Sequence, residues 1–175
     1  MVYYRTKQTG IIGFFDGNFS NLYVTGGGDI EKEDFEYNIK PSLMVRGADS
    51  NPVTDSVLVQ KEGIESQSFE YGLVLAWNGK KIMIINKSLK NEWQLNMVIC
   101  VDFLILEENA VENLKELPAS LKFKKLILGN SNSYKVINRL VGAAKEKKID
   151  VVSPKKEGAL IVHLKGGGYL PGNFE

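Results

Sequence analysis

The sequence predicts a mixed α/β (α+β) fold with two β-layers and helices outside, on three observations. The first half alternates short apolar runs with hairpin-type turns. The middle holds an almost unbroken apolar run at residues 98–106, interrupted only by Asp102. Short, β-branched and continuous, it reads as a strand buried on both faces. Beyond it, strand and helix patterns alternate, as parallel crossovers require. Hairpins followed by crossovers make either one mixed sheet or two sheets face to face.

The elements follow in order. Residues 2–6 are β-rich, and residues 10–16 and 19–25 form two runs around Asp16-Gly17-Asn18. Gly and Asn accept the positive φ of a tight turn, so this is a hairpin. Gly26, Gly27 and Gly28 read as a loop: no Gly-Lys-Ser/Thr follows, and Asp29, Glu31, Glu33 and Asp34 would repel an anion. Asp29 is the expected N-cap of a helix to about Lys40, with Ile30, Phe35 and Ile39 as its apolar stripe and Pro41 as its stop. Residues 49–55 are a turn cluster, 56–60 a short strand and 61–68 a polar loop. Asn78-Gly79 joins a second hairpin, residues 73–77 and 81–85.

After the central strand, Val111, Leu114 and Leu117 predict a short amphipathic helix before Pro118. Residues 125–128 are a further buried strand. Ser131 or Ser133 caps a helix whose apolar face is Tyr134, Ile137, Leu140, Val141 and Ala144. Val151 and Val152 form a brief strand, and residues 159–164 the last one. The 175 residues, 43% hydrophobic and 25% charged, fit a single domain, assigned to residues 1–165, with 166–175 as a flexible tail.

Composition excludes several chemistries. The single Cys100 has no internal disulfide partner and is expected to pack as a small hydrophobe. With one histidine, His163, and one cysteine, a structural zinc site lacks its ligands. His163 is expected to be a packed or edge residue. No Gly-x-Ser-x-Gly motif supplies a nucleophile. No apolar run approaches the ~18 residues of a membrane span, and the first ten residues show no signal-peptide pattern.

Function is sought where the central strand ends, because open α/β sheets place ligands at carboxyl ends of strands. Glu107, Glu108 and Asn109 stand there. The two glutamates are expected to be solvated acids ahead of a helix rather than an acid/base pair. Asp102, if buried, needs a hydrogen-bond partner, and a turn is the expected source.

Charge is uneven. Residues 122–165 carry eleven basic residues against three acidic ones, so the rest of a chain of net charge +1 is acidic. Lys122, Lys124, Lys125, Lys135, Arg139, Lys145, Lys147, Lys148, Lys155 and Lys156 are candidate contacts to the phosphates of DNA, read without regard to sequence. Only Phe123 and Tyr134 could stack bases in this segment. The alternative is that these lysines only solvate helix faces.

Several stretches resemble a known family: VYYRTKQTGIIGFFDGNFSNLYVTG, FEYNIKPSLMVRG, GLVLAWNGKKIMIIN, and the series VDFLILEENA, LILGNSNSYKVINRL and KKEGALIVHL. Together they are similar to the C-terminal metallo-β-lactamase-like domain of ComEC-type competence proteins, in a branch without metal motifs. The resemblance implies a reduced αββα sandwich. Where active members carry a His-His-Gly-Ser corner, this chain has Glu108 and Asn109; where they carry Gly-Asp, it has Asn86 and Lys87. Lys87, Glu108 and Asn109 are thus the degenerate site positions. Asn132 and Tyr134 match an asparagine and an aromatic of the family, but no histidine follows. The expected role is a catalytically silent accessory domain of a DNA-uptake membrane protein, without cofactor or small-molecule substrate. Its expected partners are the membrane channel, other uptake proteins and DNA. The family also implies a tether to the inner membrane, an extracytoplasmic position and membrane helices ahead of Met1. The alternatives are a hydrolase, most plausibly a nuclease, with a substituted site, and an interaction module with no nucleic-acid role.

Overall fold

The computed structural model describes residues 1–16, 19–25, 29–48, 63–89, 93 and 97–163. The strands are β1 (Val2–Tyr3), β2 (Gly10–Asp16), β3 (Phe19–Thr25), β4 (Ile64–Phe69), β5 (Gly72–Trp77), β6 (Lys80–Ile85), β7 (Ile99–Leu106), β8 (Leu121–Leu128), β9 (Val151–Val152) and β10 (Leu160–Ile161). They form two sheets, ordered β10-β1-β2-β3 and β4-β5-β6-β7-β8-β9. The first is antiparallel. The second is antiparallel from β4 to β6 and parallel from β6 to β9.

Alternation along the strands builds the layers, since successive side chains point to opposite faces. Ile82 and Ile84 of β6, Phe103 and Ile105 of β7 and Ile127 of β8 pack with Tyr3, Ile12, Phe14 and Tyr23 of the smaller sheet. Phe14 and Trp77 join the two sheets through rings 5.3 Å apart. The interleaved residues Met83, Ile85, Leu104, Leu106, Leu126 and Leu128 face outward, under Val136, Ile137, Leu140 and Ala144 of helix α3 (Tyr134–Glu146). On the other side, Val2, Tyr4, Ile11 and Leu22 lie under Ile39 and Leu43. Of the two arrangements open to the sequence, the molecule therefore takes the two-sheet one, with helices on both outer faces.

Some elements depart from expectation. The early helix does not stop at Pro41. It runs as α1 (Lys32–Asp34), a π-turn (Phe35–Ile39) and α2 (Lys40–Val45). The Lys40 N–H reaches back to Phe35 O. This wider turn carries the chain past a residue with no N–H of its own. The helix begins at Lys32 rather than after Asp29, and Glu31 at its N-cap makes no side-chain capping bond. Residues 64–68, expected as loop, are most of β4, an edge strand whose polar side chains face solvent while its backbone pairs with β5. Val111, Leu114 and Leu117 flank only a 3₁₀ turn, Leu114–Glu116. β8 begins at Leu121, earlier than the buried run suggested. The last strand is shortened to Leu160–Ile161. Cys100 is exposed, as the second residue of β7 at its open amino end. Tyr134 is exposed rather than on the apolar face.

Of the two capping candidates, Ser133 accepts the N–H of Val136 and starts α3. Residues 26–28, the turn and strand expected at 49–60, and the tail at 166–175 lie outside the described residues.

Candidate functional site

β6, β7 and β8 run parallel, so their carboxyl ends lie side by side. Backbone bonds lock them there: Glu107 N–H to Ile85 O at 2.9 Å and Gly129 N–H to Leu106 O at 2.9 Å. The side chain of Glu107 follows Phe103 and Ile105 in the two-residue period, so it falls on the face between the sheets. It is fully buried.

Four donors surround this carboxyl. The Tyr3 hydroxyl of β1 reaches Oε1, and the Ser131 hydroxyl reaches Oε2. The Ser131 N–H lies 3.3 Å from Oε2 and the Thr25 hydroxyl of β3 lies 2.8 Å from Oε1. The backbone is shaped to this group. A Cβ on Gly10 of β2 or on Gly129 after β8 would stand on the Glu107 carboxyl, so both positions require glycine. Next door, buried Asn130 donates through Nδ2 to Tyr4 O at 2.8 Å and to Thr6 Oγ1 at 2.9 Å. Its own N–H donates to the Tyr3 oxygen.

Thr25 Oγ1 is 3.1 Å from Gly10 O and 2.8 Å from Glu107 Oε1. A hydroxyl carries one proton. Gly10 O can only accept, so the one Thr25 proton is shared between Gly10 O and Glu107 Oε1. Burial pushes the Glu107 pKa above the ordinary carboxylate value, against the opposing pull of its Ser131, Tyr3 and Thr25 partners. Burial, with Glu107 next, also pushes up the phenols of Tyr3 and Tyr23. Burial thus favours the protonated form of Glu107 inside its shell of hydroxyls.

Glu107 was expected to be solvated, and the structure reverses this. It is the organising residue of the corner, and its place in the 103, 105, 107 alternation was the available signal. The expected solvation holds for Glu108, which is exposed in a left-handed conformation (φ 55°), its N–H bonded to Ser131 Oγ at 2.7 Å.

Lys87, Glu108 and Asn109 follow the carboxyl ends of β6 and β7. Asn109 (φ 53°) exchanges bonds with the loop after β8: its N–H donates to Asn132 Oδ1 and its Oδ1 accepts from Ser133 N–H, both at 2.8 Å. Asn132 Nδ2 donates to Leu106 O at 2.6 Å and Gly129 O at 3.0 Å. Lys87 is exposed beyond β6, held by its backbone N–H to Tyr71 O at 3.3 Å. His163 lies exposed past β10 rather than within a strand. Among the described residues, no three His, Cys, Asp or Glu side chains converge as metal ligands do.

Asp102 finds its partners in Lys81 N–H at 3.0 Å and Lys124 Nζ at 2.7 Å, with Lys80 Nζ at 3.7 Å. Burial opposes its ionisation, but these neighbours prevail and hold its carboxyl below the usual range.

The candidate phosphate contacts separate into two groups. Lys155 is not available to a partner: its ammonium caps Asn130 O at 2.9 Å and Asn132 O at 3.0 Å, over the Tyr134 ring. Lys124 pairs with Asp102, Lys125 with Asp150 at 2.7 Å and Arg139 with Glu112 at 2.8 Å. Lys156 donates to Asn138 Oδ1 at 2.8 Å. Lys122, Lys135, Lys145, Lys147 and Lys148 are exposed and form no ion pair with a described residue.

Fold and site define a layered helix–sheet–sheet–helix domain in which the carboxyl ends of the parallel strands are joined to the second sheet through a buried acid. A family model for the ComEC C-terminal domain matches residues 1–164. The chain belongs to that family. No curated protein matches it, and no solved structure does. Among the described residues, no helix is long and apolar enough to cross a membrane.

Proposed function

We propose that this chain is a non-hydrolytic accessory domain of a membrane-bound DNA-uptake protein, in a metallo-β-lactamase-like αββα frame whose metal corner has become a structural joint. One observation carries the reading. The corner where such sheets gather their chemistry is occupied by Glu107, with Tyr3, Thr25 and Ser131 closed over it. Each oxygen of the acid is engaged, and Gly10 and Gly129 press against it. Hydrolysis at a metal needs several imidazole or carboxylate ligands and an open position for water. A buried acid whose oxygens are taken up by hydroxyls offers neither. At the degenerate positions, the Asn109 amide is committed to the backbone of the β8 loop, and the Lys87 ammonium has no lone pair for a cation.

The domain's work in this reading is to pack against the channel and to hold DNA near it, tethered to the inner membrane on its extracytoplasmic side. Metal analysis of the purified protein, with a nuclease assay in added zinc or manganese, tests it. The expected result is substoichiometric metal and no cleavage. Stoichiometric metal with cleavage lost in Glu108→Ala and Lys87→Ala would establish instead a hydrolase with a substituted site.

A further inference from the structure

We infer that the DNA-facing surface is the rim at the amino-terminal ends of the parallel strands, opposite the Glu107 corner. This rests on the DNA-uptake reading above and gives it a location. The sequence shows a basic segment but not how it folds. Topology divides it. α3 runs back against β8, so Lys135 at its start lies toward the carboxyl ends, while Lys145, Lys147 and Lys148 at its finish lie toward the amino ends. β8 brings Lys122 and Lys124 to that same end. β6 adds Lys80 and Lys81, which lie outside the basic segment: parallel register sets Ile82 against Phe103 and Phe103 against Lys125. Lysines from three separate stretches of chain thus meet on one rim.

The acids there are fewer. Asp102 sits between Lys80 and Lys124 and partly neutralises both. Asp150 holds Lys125, Glu146 lies on α3, and Glu65 lies across Ala76 from Lys81. Lys81, Lys122, Lys145, Lys147 and Lys148 remain exposed without an ion pair to a described residue. From β6 to β9 the rim crosses three strand spacings, about 15 Å, which is the scale of a few successive phosphates on one strand. Among the described residues, no exposed aromatic lies beside these lysines, so the contact is to the sugar–phosphate backbone and not to stacked bases. Met97 and Val98 are exposed where the chain enters β7. Two apolar side chains are far short of the face that an interfacial membrane helix presents, so nucleic acid is favoured over lipid.

Cys100 provides a probe without mutation, since it is exposed and lies in register with Lys122. The full chain is titrated with a 30-base-pair duplex at rising salt while alkylation of Cys100 is timed. The expected result is binding at low ionic strength with a log–log salt slope of about −3 to −4, and slower alkylation in the complex. The triple variant Lys122→Glu, Lys147→Glu, Lys148→Glu should weaken binding about tenfold or more. Lys135→Glu at the opposite end should leave it unchanged, and Asp102→Asn should strengthen it. Equal losses from Lys135→Glu and the triple variant would overturn the rim and leave DNA binding intact. Absence of binding by the native chain at low salt, or binding only to vesicles of phosphatidylglycerol and phosphatidylcholine, would overturn the nucleic-acid assignment itself. Neither outcome bears on whether the Glu107 corner is hydrolytic, which metal content and cleavage report separately.

Discussion

The hydroxyl of Tyr3 and the carboxyl of Glu107 are 104 residues apart in sequence and in direct hydrogen-bond contact. One belongs to the first strand of the small sheet, the other ends the central strand of the large one. Their contact, with those of Thr25 and Ser131, ties the two layers together at the carboxyl ends of the parallel strands.

Replacing the acid distinguishes its shape from its charge. Glu107→Ala leaves the Tyr3 and Ser131 hydroxyls without their acceptor in a closed site and opens a cavity. We expect a loss of about 2–4 kcal/mol in denaturant unfolding. Glu107→Gln keeps the volume and removes the charge, and at pH 7 should stay within about 1 kcal/mol of the parent.

The pH profile follows from the direction of the shift. Burial raises the native pKa of Glu107 above its ordinary 4.5. The native state therefore keeps a proton that the unfolded chain releases. The stability from this group is fully present below 4.5 and is lost as pH rises through the higher native pKa. The difference in unfolding free energy between native and Glu107→Gln should thus move in favour of the variant as pH rises from 4. A flat difference across that range would contradict the upward shift.

Gly129→Ala should be severely destabilising, because its Cβ would collide with the Glu107 carboxyl. The reason is space alone, so the effect should couple to the acid. We expect the double variant with Glu107→Ala to lose at least 1 kcal/mol less than the two single losses added together, read from a double-mutant cycle.

Asn132→Ala removes an acceptor for Asn109 N–H and donors to two carbonyls in one buried loop. A loss of about 2–3 kcal/mol is expected. Ser133→Ala, which removes one exposed cap, should cost only about 1 kcal/mol. Chemical denaturation of both variants checks the order.

Much of the fold was legible because it is written locally. Asp16-Gly17-Asn18 lies between two strands paired from Gly10↔Thr25 to Asp16↔Phe19, and Asn78-Gly79 joins β5 to β6 as the turn chemistry required. The double-sided apolar run at 98–106 became the central strand. Reading failed where a distant partner decides. The polar stretch 64–68 is strand because β5 offers it an edge, and backbone pairing needs no apolar side chain. Pro41 failed to end its helix because a π-turn absorbs it while Ile39 and Leu43 pack on the small sheet. Lys155 looked like a surface cation until the fold placed two carbonyls against it.

Period and turn chemistry, which act over a few residues, determined from sequence alone the two hairpins, the central strand and the main helix. The fate of Glu107 was decided only in three dimensions. An acid two residues past Ile105 is solvated or buried according to what covers that face, and the cover is Tyr3, Thr25 and Ser131, brought in from three remote points of the chain. The same is true of the lysines. Their number is a property of the sequence, but the rim they share exists because parallel strands and a returning helix set Lys81, Lys122 and Lys147 at one end of the sheet.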